Sequence, residues 1–291
     1  MANIYDQVSQ NKFRSNLLMA LFVFFITLSV YLISLTLQLD YSFTIIAFVF
    51  SLASSLISYF FGDQIVLSLN GAKPADRLNY FNFYTVTENL SLANNTPMPK
   101  IYVINSNAPN AFATGTNPKN ASICATTGLL EKLDRTELEG VIAHELSHIK
   151  NFDTRIMTLV SVLIGSLSIL INQSQSLFYR KNRDRDRSSI LQIFGLILII
   201  FAPIIGKIIQ LAISRQREYL ADSGAVKLTR QPQGLISALQ KISNDPNLLN
   251  SASTATASLY IINPFKGQNF SHLFSTHPPV EKRIQALKNL L

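Results

Sequence analysis

Residues 144–148 read HELSH, two histidines four positions apart with a glutamate directly after the first. On an α-helix, positions i and i+4 share a face one turn apart, so His144 and His148 present two imidazoles to one point. Two imidazole nitrogens converging in this way are two corners of a tetrahedral zinc site. Glu145 is placed to act as general base on a metal-activated water and then to deliver the proton to a leaving amine. The chain holds only 4 histidines, so a chance pairing of this form is rare.

A hydrolytic zinc site takes a third protein ligand and keeps its fourth position for water. A three-histidine site would need a histidine six residues beyond His148, and that position is Thr154. Glu88, Glu131, Glu137 and Glu139 precede the motif and Glu281 lies in the tail, which leaves Glu218 in the run REYLAD. Asp222 follows it by four residues on the same helical face. A carboxylate there can hydrogen-bond the distal nitrogen of a ligating histidine and fix its tautomer.

These side chains need helices to carry them. Asp134 is an N-cap with Glu137 three positions on, a capping-box pattern that starts a helix near Arg135 and carries it through HELSH. SRQREYLADSGAVKL reads as one further helix, and the tail STHPPVEKRIQALKNLL ends in a short amphipathic one. Ala75–Asn94 reads as helical, with Leu78, Phe81, Tyr84 and Leu90 on a recurring face. Ile101–Ile104 and Ser122–Thr127 read as short strands, with strand character also at Asn110–Thr114. Cys124, the only cysteine, excludes an internal disulfide and any multi-cysteine metal site, and its setting SICATTGLL reads as a small buried strand residue.

Composition places this apparatus at a membrane. Hydrophobic residues make up 48% of the 291 and charged residues 14%. Uncharged stretches run over 17–37, 41–62, 156–179 and 188–206, each long enough as a helix to approach or cross a hydrocarbon core of about 30 Å. The first is longer than a signal-peptide core and a second follows at once, so the two read as an anchor pair. The net charge of +8 comes without a phosphate loop, zinc-finger spacing or basic–aromatic stripe; nucleic acid is not the expected partner, and the lipid bilayer is.

HELSH, REYLAD, the four apolar segments and the terminal STHPPVEKRI together resemble the HtpX-type heat-shock membrane metalloproteases, which are similar to the CAAX prenyl endopeptidases. The resemblance covers most of residues 10–291. It implies a gluzincin-like site with one Zn2+ per chain, bound by His144, His148 and Glu218, with Glu145 as base and Asp222 supporting the ligands. It further implies that His277 faces the active site as a transition-state donor and that Arg283 organises the site by pairing with a carboxylate such as Asp222. NAFATG also matches, which implies that Asn110, Ala111, Phe112 and Ala113 form an edge strand to which an extended peptide substrate adds.

The expected fold is a mainly α membrane protein, a helical bundle with a zincin-like catalytic domain and a small β-sheet. Its expected parts are a transmembrane hairpin over 1–62, a first catalytic part over 63–155, a second hydrophobic hairpin over 156–213 and a second catalytic part over 214–291. Glu218 must meet His144, so the chain between them crosses the membrane an even number of times. Lys12 and Arg14 argue for a cytoplasmic amino terminus and a catalytic domain on the cytoplasmic face of the bacterial plasma membrane. The loop RKNRDRDR over 180–187 is then either exported against its charge, or its hairpin stays on the cytoplasmic side. The expected activity is zinc-dependent cleavage of peptide bonds, and the resemblance implies damaged or misfolded membrane proteins as substrates and a stress-response role. A prenyl-peptide endopeptidase and a non-catalytic scaffold are the alternatives.

Overall fold

Two long helices open the chain: α1 (Ile4–Thr36) and α2 (Ser42–Leu69) pack against each other. They are seen in a computed structural model that describes residues 4–36, 38, 40–179, 215–249, 255–264 and 278–290. On α2 the buried side chains are small, among them Ala47, Ser51, Ser55, Ser58 and Gly62, while Ile45, Ile46, Val49, Phe60 and Phe61 are exposed. A helix in water buries its large apolar side chains; one that turns them outward and packs through small residues suits lipid. Gln7–Leu32 and Ser42–Leu69 are both long and apolar enough to cross a membrane.

The chain then forms β1 (Lys73–Pro74), α3 (Phe81–Ala93), β2 (Lys100–Ile104), β3 (Ala111–Thr114), β4 (Ser122–Thr126) and α4 (Thr127–Lys132). The sheet order is β1-β2-β4-β3, with β2 and β4 parallel and the two outer strands antiparallel to their neighbours. Cys124 is fully buried in β4, and burial pushes its thiol pKa up, as befits an inert core thiol. Helix α3 is shorter than the expected Ala75–Asn94. Ala75 donates its N–H to Ile101 in the sheet and the Asp76 carboxylate takes the N–H of Asn79, so residues 75–80 turn instead of winding, and Leu78 is left exposed.

Helix α5 (Arg135–Lys150) is the centre of the catalytic part. It packs against α3, β3, α7 (Arg215–Thr229) and α8 (Pro232–Asn244), and every residue from Gly140 to Ile149 is buried. Leu138, Val141 and Ile142 share a core with Phe83, Ile123, Leu235 and Leu239. Two glycines set its closest crossings. A Cβ on Gly140 would lie 2.7 Å from the Leu235 backbone, and one on Gly224 of α7 would lie 2.5 Å from the Ser147 hydroxyl. At Asn151–Phe152 the chain leaves α5, with Phe152 in the left-handed region (φ 60°), and starts α6 (Asp153–Tyr179). The first half of α6 packs on α1 and α2, with Ile156, Leu159 and Leu163 against Leu18 and Phe22. The stretch 188–206 and the loop 180–187 lie outside the described residues. The tail helix α9 (Val280–Lys288) packs on α7 and α8.

The cap of α5 is a complete capping box: Asp134 Oδ1 accepts from Glu137 N, and Glu137 Oε2 accepts from Asp134 N, each at 2.9 Å. Glu137 also accepts from Ser237 Oγ at 2.6 Å and Lys241 Nζ at 2.7 Å, which ties α5 to α8. Burial alone would raise its pKa, but the bonds from Lys241, Ser237 and Asp134 outweigh that and hold it below the usual glutamate value. Because the folded pKa is depressed, this stabilisation is complete above the ordinary glutamate pKa of 4.5 and is lost as pH falls through the lower folded value. Replacing Glu137 with Ala is expected to cost about 1–3 kcal/mol at pH 7. In thermal melts of the detergent-solubilised protein the gap between wild type and variant should close towards pH 3.

Candidate metal centre

Helix α5 presents His144, Glu145 and His148 on its buried face, 1–4% exposed. Helix α7, brought close by the Gly224 crossing, presents Glu218 and Asp222. Glu218 Oε2 lies 3.7 Å from His144 Nε2 and Oε1 lies 3.5 Å from His148 Nε2. The two Nε2 atoms are 3.1 Å apart, with the rings edge to face at 89°. One ligand atom from each of His144, His148 and Glu218 falls within 4.8 Å of the others.

Both rings are oriented from behind. His144 Nδ1 is 2.9 Å from Asp222 Oδ1, and His148 Nδ1 is 3.1 Å from Asp153 Oδ2. Acceptor-only carboxylates assign the ring protons to Nδ1, so both Nε2 atoms carry lone pairs and face each other. Such a pair is repulsive unless a cation or a proton lies between them, and the donor set therefore fits a metal ion. The titration of the rings reflects the same field. Burial and then Arg283 push His144 down to about 4. Burial also disfavours charge on His148, but Asp153 and Glu218 outweigh it and raise that pKa to about 9.

Arg283, fully buried on α9, holds the other side of the site. Its Nε and Nη2 donate to Asp222 at 2.9 and 2.6 Å, Nη1 donates to the Ile261 carbonyl at 2.9 Å, and Nη1 lies 3.3 Å from Glu218 Oε2. Burial would raise the Asp222 pKa, but Arg283 and the bond from His144 keep it below the usual carboxylate range. Glu145 is raised to about 7, mainly by burial, and its carboxylate accepts the N–H of Ala113 on β3.

The expected edge strand is present, but much of its outer edge is already bonded. Ile261 N donates to the Ala111 carbonyl at 2.9 Å, Asn110 Nδ2 donates to the Ile262 carbonyl at 2.9 Å, and Phe112 bridges Tyr260. Beyond Ala113, Gly115 N donates to Thr158 Oγ1. Of Asn110, Ala111, Phe112 and Ala113, it is Ala113 that faces the base. His277 lies outside the described residues. Asp153 and its neighbour Arg217 have no place in the sequence reading. Asp153 sits five residues past His148, off its helical face, and only the turn at Phe152 brings it back.

Residues 83–291 match the model of peptidase family M48. The chain belongs to the HtpX group of that family. It is 41% identical over 285 residues to a Protease HtpX homolog of Dictyoglomus turgidum, covering 98% of this chain and 94% of that one. It is 39% identical to the Protease HtpX homolog of Ligilactobacillus salivarius, covering 99% and 100%. Among solved structures, the crystal structure of S. mikatae Ste24p aligns with a TM-score of 0.48 at 19% identity, over 96% of this chain and 66% of that one. The protein is a metalloprotease with two apolar helices of membrane-crossing length.

Arg283 pairs with two buried carboxylates, Asp222 and Glu218, and its loss removes the guanidinium from both. Arg283→Met is expected to destabilise the fold by about 3–5 kcal/mol. Lys282→Ala, on the exposed face of the same helix, should stay within about 0.5 kcal/mol of wild type in the same melts.

Proposed function

We propose that the metal is zinc, one per chain, held by His144, His148 and Glu218, and that Glu145 is the general base of peptide hydrolysis. The observation that carries this reading is the convergence of two imidazole nitrogens and one carboxylate, that of Glu218, on a point beside a second carboxylate, that of Glu145. Two nitrogen donors disfavour magnesium and calcium, which take oxygen ligands, and suit zinc with one position left open. The buried carboxylates of Glu145, Asp153, Glu218 and Asp222 meet two buried guanidinium groups, Arg217 and Arg283.

Zinc so bound supplies Lewis acidity, lowering the pKa of water and polarising the scissile carbonyl. Glu145 then takes the proton of the attacking water and passes it to the leaving amine nitrogen. A carboxyl raised to about 7 is suited to both halves of that transfer, because it is neither a weak base nor a weak acid at neutral pH. Asp222 and Asp153 keep the two rings in the tautomer that leaves Nε2 for the metal. The N–H of Ala113 on β3 fixes the Glu145 carboxylate.

Substrates in this reading are misfolded or damaged proteins of the same membrane. Lys12 lies 4.4 Å over the ring of Phe152, so the basic start of α1 and the metal centre lie at the same membrane surface. With the positive-inside bias, that surface is the cytoplasmic face of the plasma membrane. The decisive comparison is wild type with Glu145→Gln, both loaded with zinc, on an unfolded membrane protein. The variant should bind zinc stoichiometrically and cleave about 10²–10⁴-fold more slowly. Equal cleavage by both, or zinc-loaded wild type that cleaves nothing, would sink the assignment.

A further inference from the structure

Asp153 has two oxygens and divides them between the metal centre and the membrane. Oδ2 accepts from His148 Nδ1 at 3.1 Å. Oδ1 accepts from the side-chain amide of Asn11, on α1, at 2.8 Å. The same Nδ2 donates to the backbone carbonyl of Asn151 at 2.8 Å. One amide group therefore spans the carbonyl that follows α5 and the carboxylate that begins α6. Its orientation is unambiguous, since an oxygen in that place would face two acceptors. Asn11 is 5% exposed, and Ser15 Oγ donates to its carbonyl at 2.7 Å.

A carboxylate held by one hydrogen bond can rotate about its terminal torsion, whereas bonds to both oxygens fix its plane. The Nε of Arg217, also beside Oδ1, is at 3.6 Å, beyond hydrogen-bond distance. Asn11 is thus the group that locks Asp153 on the side away from His148. It also lies 72 residues before the stretch that matches the family model, which starts at residue 83.

We propose that Asn11 of the first membrane helix is a positioning residue of the metal centre, acting through Asp153 on His148. The proposal rests on the reading of His148 as a metal ligand. The peptidase unit then includes a residue of the hairpin, and the 83–291 stretch lacks part of what orients its own ligand. Two other contacts join α1 to the same joint: Lys12 over Phe152, and Arg155 Nη2 donating to Asn16 at 2.6 Å. Neither touches Asp153, so they separate positioning from simple adhesion of the helix.

The test is zinc affinity of the full chain in detergent, measured by chelator competition, with apo-protein melting curves alongside. Asn11→Leu, with Asn11→Ala as a smaller replacement should the first fold poorly, is expected to weaken zinc binding on the order of tenfold. Asp153→Asn should weaken it by at least as much, and in that background Asn11→Leu should add less than about twofold, the non-additivity of residues acting in series. Lys12→Ala should lower the apo melting temperature while keeping zinc affinity within about twofold of wild type. Wild-type affinity in both Asn11 variants, additive losses in the double variant, or an equal loss in Lys12→Ala would overturn the role of Asn11. A His148→Ala variant that keeps wild-type affinity would instead overturn the metal assignment, and this proposal with it.

Discussion

The rest of the structure follows from burying two imidazole lone pairs 3.1 Å apart in the middle of a protein. Each ring must give its other nitrogen to an acceptor strong enough to fix the tautomer, and neutral acceptors would do this weakly. Asp222 and Asp153 do it, but a buried carboxylate carries a desolvation cost of several kcal/mol unless it is paired. Arg283 and Arg217 are the consequence, and each has to reach the site from a separate element. A polar helix that would be unremarkable on a surface, GVIAHELSHI, becomes the most buried helix of the catalytic part, because everything that stabilises its charges packs around it.

That requirement explains the contacts between elements better than hydrophobicity does. Helix α7 has little apolar surface of its own, yet Glu218 and Asp222 are buried, because Gly224 lets it lie against Ser147 of α5. Helix α9 is short and amphipathic, and its fully buried residue of greatest size is Arg283. The capping box at Asp134 and Glu137 fixes where α5 begins, and the left-handed residue Phe152 fixes where it stops. Between those two points the phase of the helix is set, and with it the direction of both histidines.

The parts of the site that obey a local period are those the sequence displays. His144 and His148, or Glu218 and Asp222, share faces because 3.6 residues make a turn, and that can be read without a structure. The capping box is equally local. Asp153 is not, since five residues past His148 points away until Phe152 reverses the chain. The resemblance suggested an Arg283 pairing with Asp222, but no periodicity connects residues 61 positions apart. Helix α8 has no counterpart in the sequence reading; it opens on Pro232, and proline at the first turn is compatible with starting a helix. The closure of β3 by residues 260–262 depends on a bridge across nearly 150 residues, which alternation within the strand cannot reveal.

The membrane hairpin meets the catalytic part at both of its open ends, and the two meeting points flank the site. At one, the start of α1 reaches residues 151–153 behind His148. At the other, Asn70, just past the end of α2, is buried, and its Oδ1 accepts from Thr256 Oγ1 at 3.1 Å and Tyr260 Oη at 2.9 Å. Tyr260 bridges Phe112 on β3, and the next residue, Ile261, gives its carbonyl to Arg283. One end of the hairpin thus bears on the histidine side of the centre and the other on the β3 and arginine side. The helices between are long enough, at 1.5 Å per residue, for the closed end of the hairpin to lie across a core of about 30 Å. Polar contacts of this kind are specific in direction, unlike apolar helix packing, so the hairpin is registered to the site as well as attached to it. An anchor that served only to tether would need neither Asn11 nor Asn70 to be buried.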